Sequence, residues 1–106
     1  MAEFVQVITT CDKADDAKKI GEELVKRRLC PCAQVSGPIS SIYWWEGSIE
    51  KSEEWYCIAK AREERFKEVE RVIKAIHSYE VPEIIAVPIV RGSDDYIFWM
   101  KEESYL

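Results

Sequence analysis

Metal-binding chemistry is the first possibility raised by this chain. Cys30 and Cys32 flank Pro31, and His77 is followed by Glu80 and Glu83. Thiolates suit Cu(I), whereas imidazole and carboxylates suit Cu(II) or Zn(II). Alternate residues of an extended segment share a face, so an extended Cys30-Pro31-Cys32 would aim both sulfurs at one ion. His77 with Glu80 or Glu83 would make a mixed nitrogen and oxygen site. Two facts weigh against a strong centre: cysteine is often a small buried apolar residue, and the chain holds a single histidine. Cys57, inside a run of strand formers, reads as core.

A second constellation sets charge beside aromatic rings. Lys60 and Arg62 end a strand, while Glu46, Glu83 and Tyr79 supply acceptors or a hydroxyl that would face a subunit boundary. Lys60 in this setting is either one half of a structural ion pair or the cation of an anion or small-ligand cleft. No Ser, His and Asp ordering, phosphate-cradling glycine loop or zinc-hydrolase motif is present, and proximity in sequence does not make Glu80 and Glu83 an acid and base pair. No enzyme activity is expected.

These residues must be positioned by a single domain spanning residues 1–106, 47% hydrophobic and 33% charged, with room for one modest core. The formal net charge of −5 favours solubility and disfavours nucleic acid or an anionic membrane as partner. No apolar run reaches membrane-spanning length and no signal-peptide pattern opens the sequence, so a cytoplasmic location is expected. Cys11, Cys30, Cys32 and Cys57 form no Cys-x-x-Cys pair and are expected to stay reduced.

The organising stretch is Ile39 to Lys60, two arms rich in aromatic and β-branched residues around a polar, glycine-containing turn, the pattern of a long hairpin. Before it, Phe4 to Thr10 predicts a central strand. A helix follows, with Asp12 as N-cap, Ala17, Ile20, Leu24 and Val25 on its apolar face, and an end at Arg28. Leu29 to Val35 predicts a short edge-like passage, leading through Ser36-Gly37-Pro38 into the hairpin. A second helix is expected from Glu63 to Ile76, then a strand from Glu83 to Val90 placed at the sheet edge by Pro88. The segment Tyr96 to Met100 predicts a short terminal helix, with an added strand as the alternative.

This order is α+β, a ferredoxin-like β-α-β-β-α-β sandwich with a long central hairpin and a short C-terminal element. Neither face of the hairpin is polar. Tyr43 and Trp45 point one way and Ile42 and Trp44 the other, while Trp55 and Cys57 oppose Tyr56 and Ile58. One helix layer hides one face, so Tyr43, Trp44, Trp45 and Trp55, together with Trp99, are the expected surface for assembly.

Leu29-x-x-Cys32, Ser41-x-Tyr43-x-Trp45-Glu46-Gly47, Glu54, Lys60, His77-x-Tyr79-Glu80-Val81-Pro82-Glu83 and Tyr96-x-x-Trp99 together resemble the CutA family of divalent-cation tolerance proteins over nearly the whole chain. The resemblance implies a ferredoxin-like subunit, a tight trimer akin in architecture to the nitrogen-regulatory PII proteins, and a role in copper tolerance. It implies copper or another divalent cation as ligand and no organic cofactor. Cys11 and Cys32 match positions proposed for metal ligation in some bacterial members, and His77 lies in the family's histidine motif. The chain differs in having Cys30-Pro31 where small residues such as Ala-Ala are usual, and Lys60-Ala61 where Lys-Thr is usual. The function this implies is a non-catalytic homotrimer with weak cation binding. The competing expectation is a PII-like, ligand-responsive module that uses Lys60, Tyr79 and Glu83 in an intersubunit cleft and signals to an unidentified protein partner.

Overall fold

The structure, a computed structural model, describes residues 2–104. Its elements are β1 (Phe4–Cys11), α1 (Ala14–Lys26), β2 (Cys32–Trp45), β3 (Ser48–Arg62), α2 (Phe66–Ile76), β4 (Ile85–Ile89) and α3 (Asp94–Glu103). The strands form one antiparallel sheet in the order β2-β3-β1-β4, the expected ferredoxin-like arrangement. The first strand is central, as its near-continuous β-formers predict. Pro88 lies opposite Val5 on the edge strand β4, where a missing N–H costs no second ladder.

Directly paired residues share a face, so the register sorts the sheet into two surfaces. On one, Val5, Val7 and Cys11 of β1 and Cys57, Ala59 and Ala61 of β3 join Ala17, Ile20 and Leu24 of α1 and Val69, Val72 and Ile73 of α2 in a single buried cluster. Small side chains on β3 let the helices sit close. At Gly21 of α1, an added methyl would stand 3.1 Å from the Ala33 side chain. The other surface carries Gln6, Ile8, Ile58, Lys60, Gln34, Ile85 and Val87.

α3 covers only one end of this second surface. Arg62 donates to the carbonyls of Lys101 and Ser104, and its guanidinium stands 5.3 Å from the centre of the Phe4 ring. Met100 is fully buried there. The Ser93 hydroxyl caps α3 by accepting the Tyr96 N–H at 3.3 Å, and Tyr96 to Met100 is helical as expected.

Several boundaries differ from expectation for identifiable reasons. Lys13, not Asp12, occupies the α1 N-cap, and no side chain caps it; Asp15 and Asp16 in the first turn supply the favourable charge instead. α1 stops at Lys26, because Arg28 adopts a left-handed φ of 61° that turns the chain. Glu63–Arg65 forms a 3-10 turn, so α2 begins at Phe66. The last strand is trimmed to Ile85–Ile89. The largest difference is β2, which is not a short passage followed by a hairpin arm but one strand from Cys32 to Trp45. The Ser36-Gly37-Pro38 segment is absorbed as a shift in pairing between Ser36 and Ile39, which an edge strand tolerates. Gly37 is required there because a methyl at this position would collide with the Trp55 ring.

Beyond the bulge, β2 and β3 leave the body as a two-stranded arm, and the molecule measures 45 by 24 by 22 Å. Trp44 faces Ile49 and Trp45 faces Ser48 across the arm, closed by Glu46 and Gly47 with φ of 49° and 81°. Two central residues with positive φ match the I′ hairpin turn, whose twist suits the flanking strands. Glutamate in this conformation is strained, whereas asparagine visits it readily. Glu46→Asn is therefore expected to raise stability by about 1 kcal/mol, read as a higher urea midpoint at unchanged slope; an unchanged or lower midpoint would refute it.

Candidate functional site

The expected ligands do not converge on a metal centre within one chain. Cys30 lies outside the strand and is buried at 1% exposure, whereas Cys32 opens β2 on the face opposite the helices. The two sulfurs thus lack the shared face that an extended segment would have given them. Cys11 and Cys57 are also buried. Burial, the largest cause in each case, pushes the thiols of Cys11 and Cys30 up to about 12 and that of Cys57 to about 11. A protonated, enclosed thiol is a poor ligand for a soft cation.

His77 is held by both ring nitrogens. Nε2 lies 2.8 Å from the Thr10 carbonyl oxygen, and Nδ1 lies 3.0 Å from the Tyr79 backbone nitrogen. A carbonyl can only accept and an amide N–H can only donate, so Nε2 carries the proton and Nδ1 spends its lone pair on Tyr79. Cys11 Sγ stands 3.7 Å from Nε2. Tyr79 then reaches Glu54, its hydroxyl donating to Oε2 at 2.7 Å. Burial first, then Glu54, hold the Tyr79 phenol well above its usual range. His77 is thus a latch between the end of α2 and the end of β1. Glu80 and Glu83 are exposed on the loop that follows, and among the described residues no three His, Cys, Asp or Glu side chains are arranged to hold an ion.

The half-exposed thiol, Cys32, has different surroundings. Its sulfur is 3.4 Å from the Tyr96 hydroxyl and 3.8 Å from Lys60 Nζ. Lys60 donates to Gln34 Oε1 at 2.8 Å and stands 6.0 Å from the centre of the Tyr96 ring. Tyr96 is stacked on Trp99 with centroids 5.5 Å apart. The bond with Cys32, and then burial, push the Tyr96 phenol to about 12. β2 and β3 create this group by register, since Cys32 lies directly opposite Lys60. Among the described residues no carboxylate lies within ion-pair distance of Lys60, so the expected structural ion pair is replaced by an amide and a sulfur.

The expected cleft residues separate within the subunit. Lys60 and the Tyr79 partner Glu54 stand at different levels of β3, roughly 20 Å apart at strand rise. Arg62 pairs with Glu3 at 3.3 Å and fastens α3, a structural task. Glu46 is at the hairpin tip. Of the expected assembly residues, Tyr43, Trp44, Trp45 and Trp99 are exposed, whereas Trp55 is partly buried against the helix-side core. Gln34 was missed by sequence reasoning, and Glu54 and Tyr96 entered it only as residues of the family resemblance; the alternation of Cys32, Gln34 and Lys60 across one strand pair would have flagged the surface they share.

The strand order, the single helix layer, the overlong hairpin and the terminal helix define a ferredoxin-like α+β domain, with ligand-capable side chains on its open sheet face. Residues 5–103 match the family described as CutA1 divalent ion tolerance protein, and the chain belongs to it. The divalent-cation tolerance protein CutA of Archaeoglobus fulgidus is 38% identical over 96% of this chain and 97% of its own length. That of Pyrococcus horikoshii is 38% identical over 95% of this chain and 98% of its own. The solved A. fulgidus structure, described as a periplasmic divalent cation tolerance protein, has a TM-score of 0.92 at 36% identity, covering 96% of this chain and 99% of that one. The family is named for tolerance of divalent ions rather than for a catalysed reaction. No helix among the described residues is long and apolar enough to cross a membrane.

Proposed function

We propose that the chain acts in divalent-cation tolerance, copper foremost, as a non-catalytic homotrimer in the cytoplasm, with neither nucleic acid nor membrane as partner. The observation that carries this reading is the apolar surface left without a cover: Ile42, Trp44, Trp45 and Ile49 on the two faces of the β2–β3 arm are all more than half exposed, and Ile85 and Val87 are exposed on the open sheet face. Exposed aromatic and aliphatic surface of this extent favours burial against further copies. Four thiols free of disulfides agree with a reducing compartment.

The donor set does not fit a chelating centre within one subunit, so cation binding is weak and centres on Cys32. Titration of the reduced, tag-free protein with Cu(I) against a competing chelator tests this. Cys32→Ala is expected to lower affinity by at least about tenfold, as loss of a soft ligand should, and His77→Ala, checked for intact assembly, is expected to leave it unchanged. Unchanged affinity in Cys32→Ala would refute the assignment, and no saturable binding by the parent would favour the second reading.

That reading is a PII-like, ligand-responsive module acting on a protein partner. It is favoured by Lys60, a half-buried cation with no carboxylate partner among the described residues. Tyr79 and Glu83 would join Lys60 only across a subunit boundary, because one chain keeps them apart.

A further inference from the structure

The helix layer has a hollow of its own, away from the open sheet face. It is an open groove of about 400 Å³ between the end of α1 and the flank of α2, lined by Arg27, Leu29, Arg65, Glu68, Arg71, Val72 and Ala75. Positions 65, 68, 72 and 75 recur at the spacing of one helical strip. Its floor is apolar, with Leu29 at 6% exposure and Val72 at 7%. Three arginines and one carboxylate, Glu68, line the groove in a chain whose net charge is −5, so the lining carries a positive excess against the overall charge.

The arginines are not all neutralised. Arg27 pairs with Glu23 at 2.8 Å and Arg65 with Glu68 at 2.9 Å. Arg71 is exposed and has no acidic partner among the described residues. The Arg65 side chain is only 16% exposed and donates from Nη2 to Glu68 Oε2 at 3.0 Å, while its buried Nε, 2.9 Å from Oε1, completes no hydrogen bond. Exposed pairs such as Arg27 with Glu23 contribute little and are readily exchanged for a stronger anion. Guanidinium groups favour phosphate, to which they donate in a planar fork.

We infer that this groove is a binding site for a small organic phosphate, its phosphoryl group held by Arg71, Arg65 and Arg27 and its apolar body resting on Leu29, Val72 and Ala75. The volume suits a small ligand, since such pockets run from about 300 to 1,000 Å³. A surface on the helix layer also stays open when the opposite sheet face assembles.

Calorimetric titration of the reduced full-length protein with phenyl phosphate, inorganic phosphate and phenol tests the site. Phenyl phosphate is expected to saturate one site per chain and to bind at least about tenfold more tightly than either fragment, because charge and apolar contact act together. Arg71→Gln is expected to weaken it about tenfold, the effect of losing a charge-assisted hydrogen bond, while Lys18→Gln, outside the groove, leaves it unchanged. Absence of saturation, equal affinity in Arg71→Gln, or equal weakening by Lys18→Gln would overturn the inference.

Discussion

Replacing Trp44 and Trp45 together by serine is expected to break the assembly while leaving the subunit folded. Trp44 is 72% exposed and Trp45 56% exposed in the single chain, so neither supports the subunit's own core. An aromatic residue that anchors an interface typically costs about 2–4 kcal/mol on truncation, and 2 kcal/mol alone is roughly a 30-fold change in an association constant. Light scattering across a dilution series should give three chains for the parent and a shift towards smaller species for the variant, with unchanged far-ultraviolet circular dichroism. A parent that is monomeric at all concentrations, or a variant as trimeric as the parent, would refute the trimer.

Stability is expected to fall steeply above pH 9, driven by thiols rather than by surface charge. Cys11, Cys30 and Cys57 are held protonated in the fold, raised from 9.0 to about 12, about 12 and about 11, chiefly by burial. Below the unfolded value both states carry the same protons and the contribution is fully present. Above it the unfolded chain releases protons that the native chain keeps, so the contribution is lost progressively up to the native values. Each such thiol removes about 1.4 kcal/mol per pH unit in that window. Urea midpoints should be level from pH 7 to about 8.5 and then decline, and Cys11→Ala should make the decline shallower. A midpoint that stays level to pH 10.5 would show that these thiols ionise as easily in the fold as outside it.

Elements that announce themselves through alternation and periodicity were readable from the residues alone. Phe4 to Thr10 gave the central strand, Pro88 the edge, and the stripe of Val69, Val72 and Ile73 the second helix. What stayed hidden depends on how distant segments meet. Gly37 and Pro38 look like interruptions, yet a bulge on an edge strand carries the chain through. Cys30 and Cys32 look like a pair, yet one closes the core beneath the helices while the other opens a strand on the far face. His77 looks like a free ligand until the Thr10 carbonyl and the Tyr79 amide are placed against it. The partners of Lys60 are likewise invisible in a linear text, because Gln34 lies 26 positions away and Tyr96 belongs to a separate helix.

The projecting arm has an ambiguity that its own residues do not resolve. A strand with one greasy side is aligned by that side, since slipping by one position would turn it to water. Here both sides are apolar, Trp44 and Ile49 on one and Tyr43 and Trp45 on the other, so a slipped arm would look nearly as acceptable to the solvent as the correct one. The information that removes the ambiguity sits at the two ends. The Glu46-Gly47 reversal fixes which residues face each other at the tip, and the bulge between Ser36 and Ile39, with Trp55 lying over Gly37, fixes the offset at the root. Glycine at positions 37 and 47 thus acts as punctuation for a sentence whose words could otherwise be read in two frames.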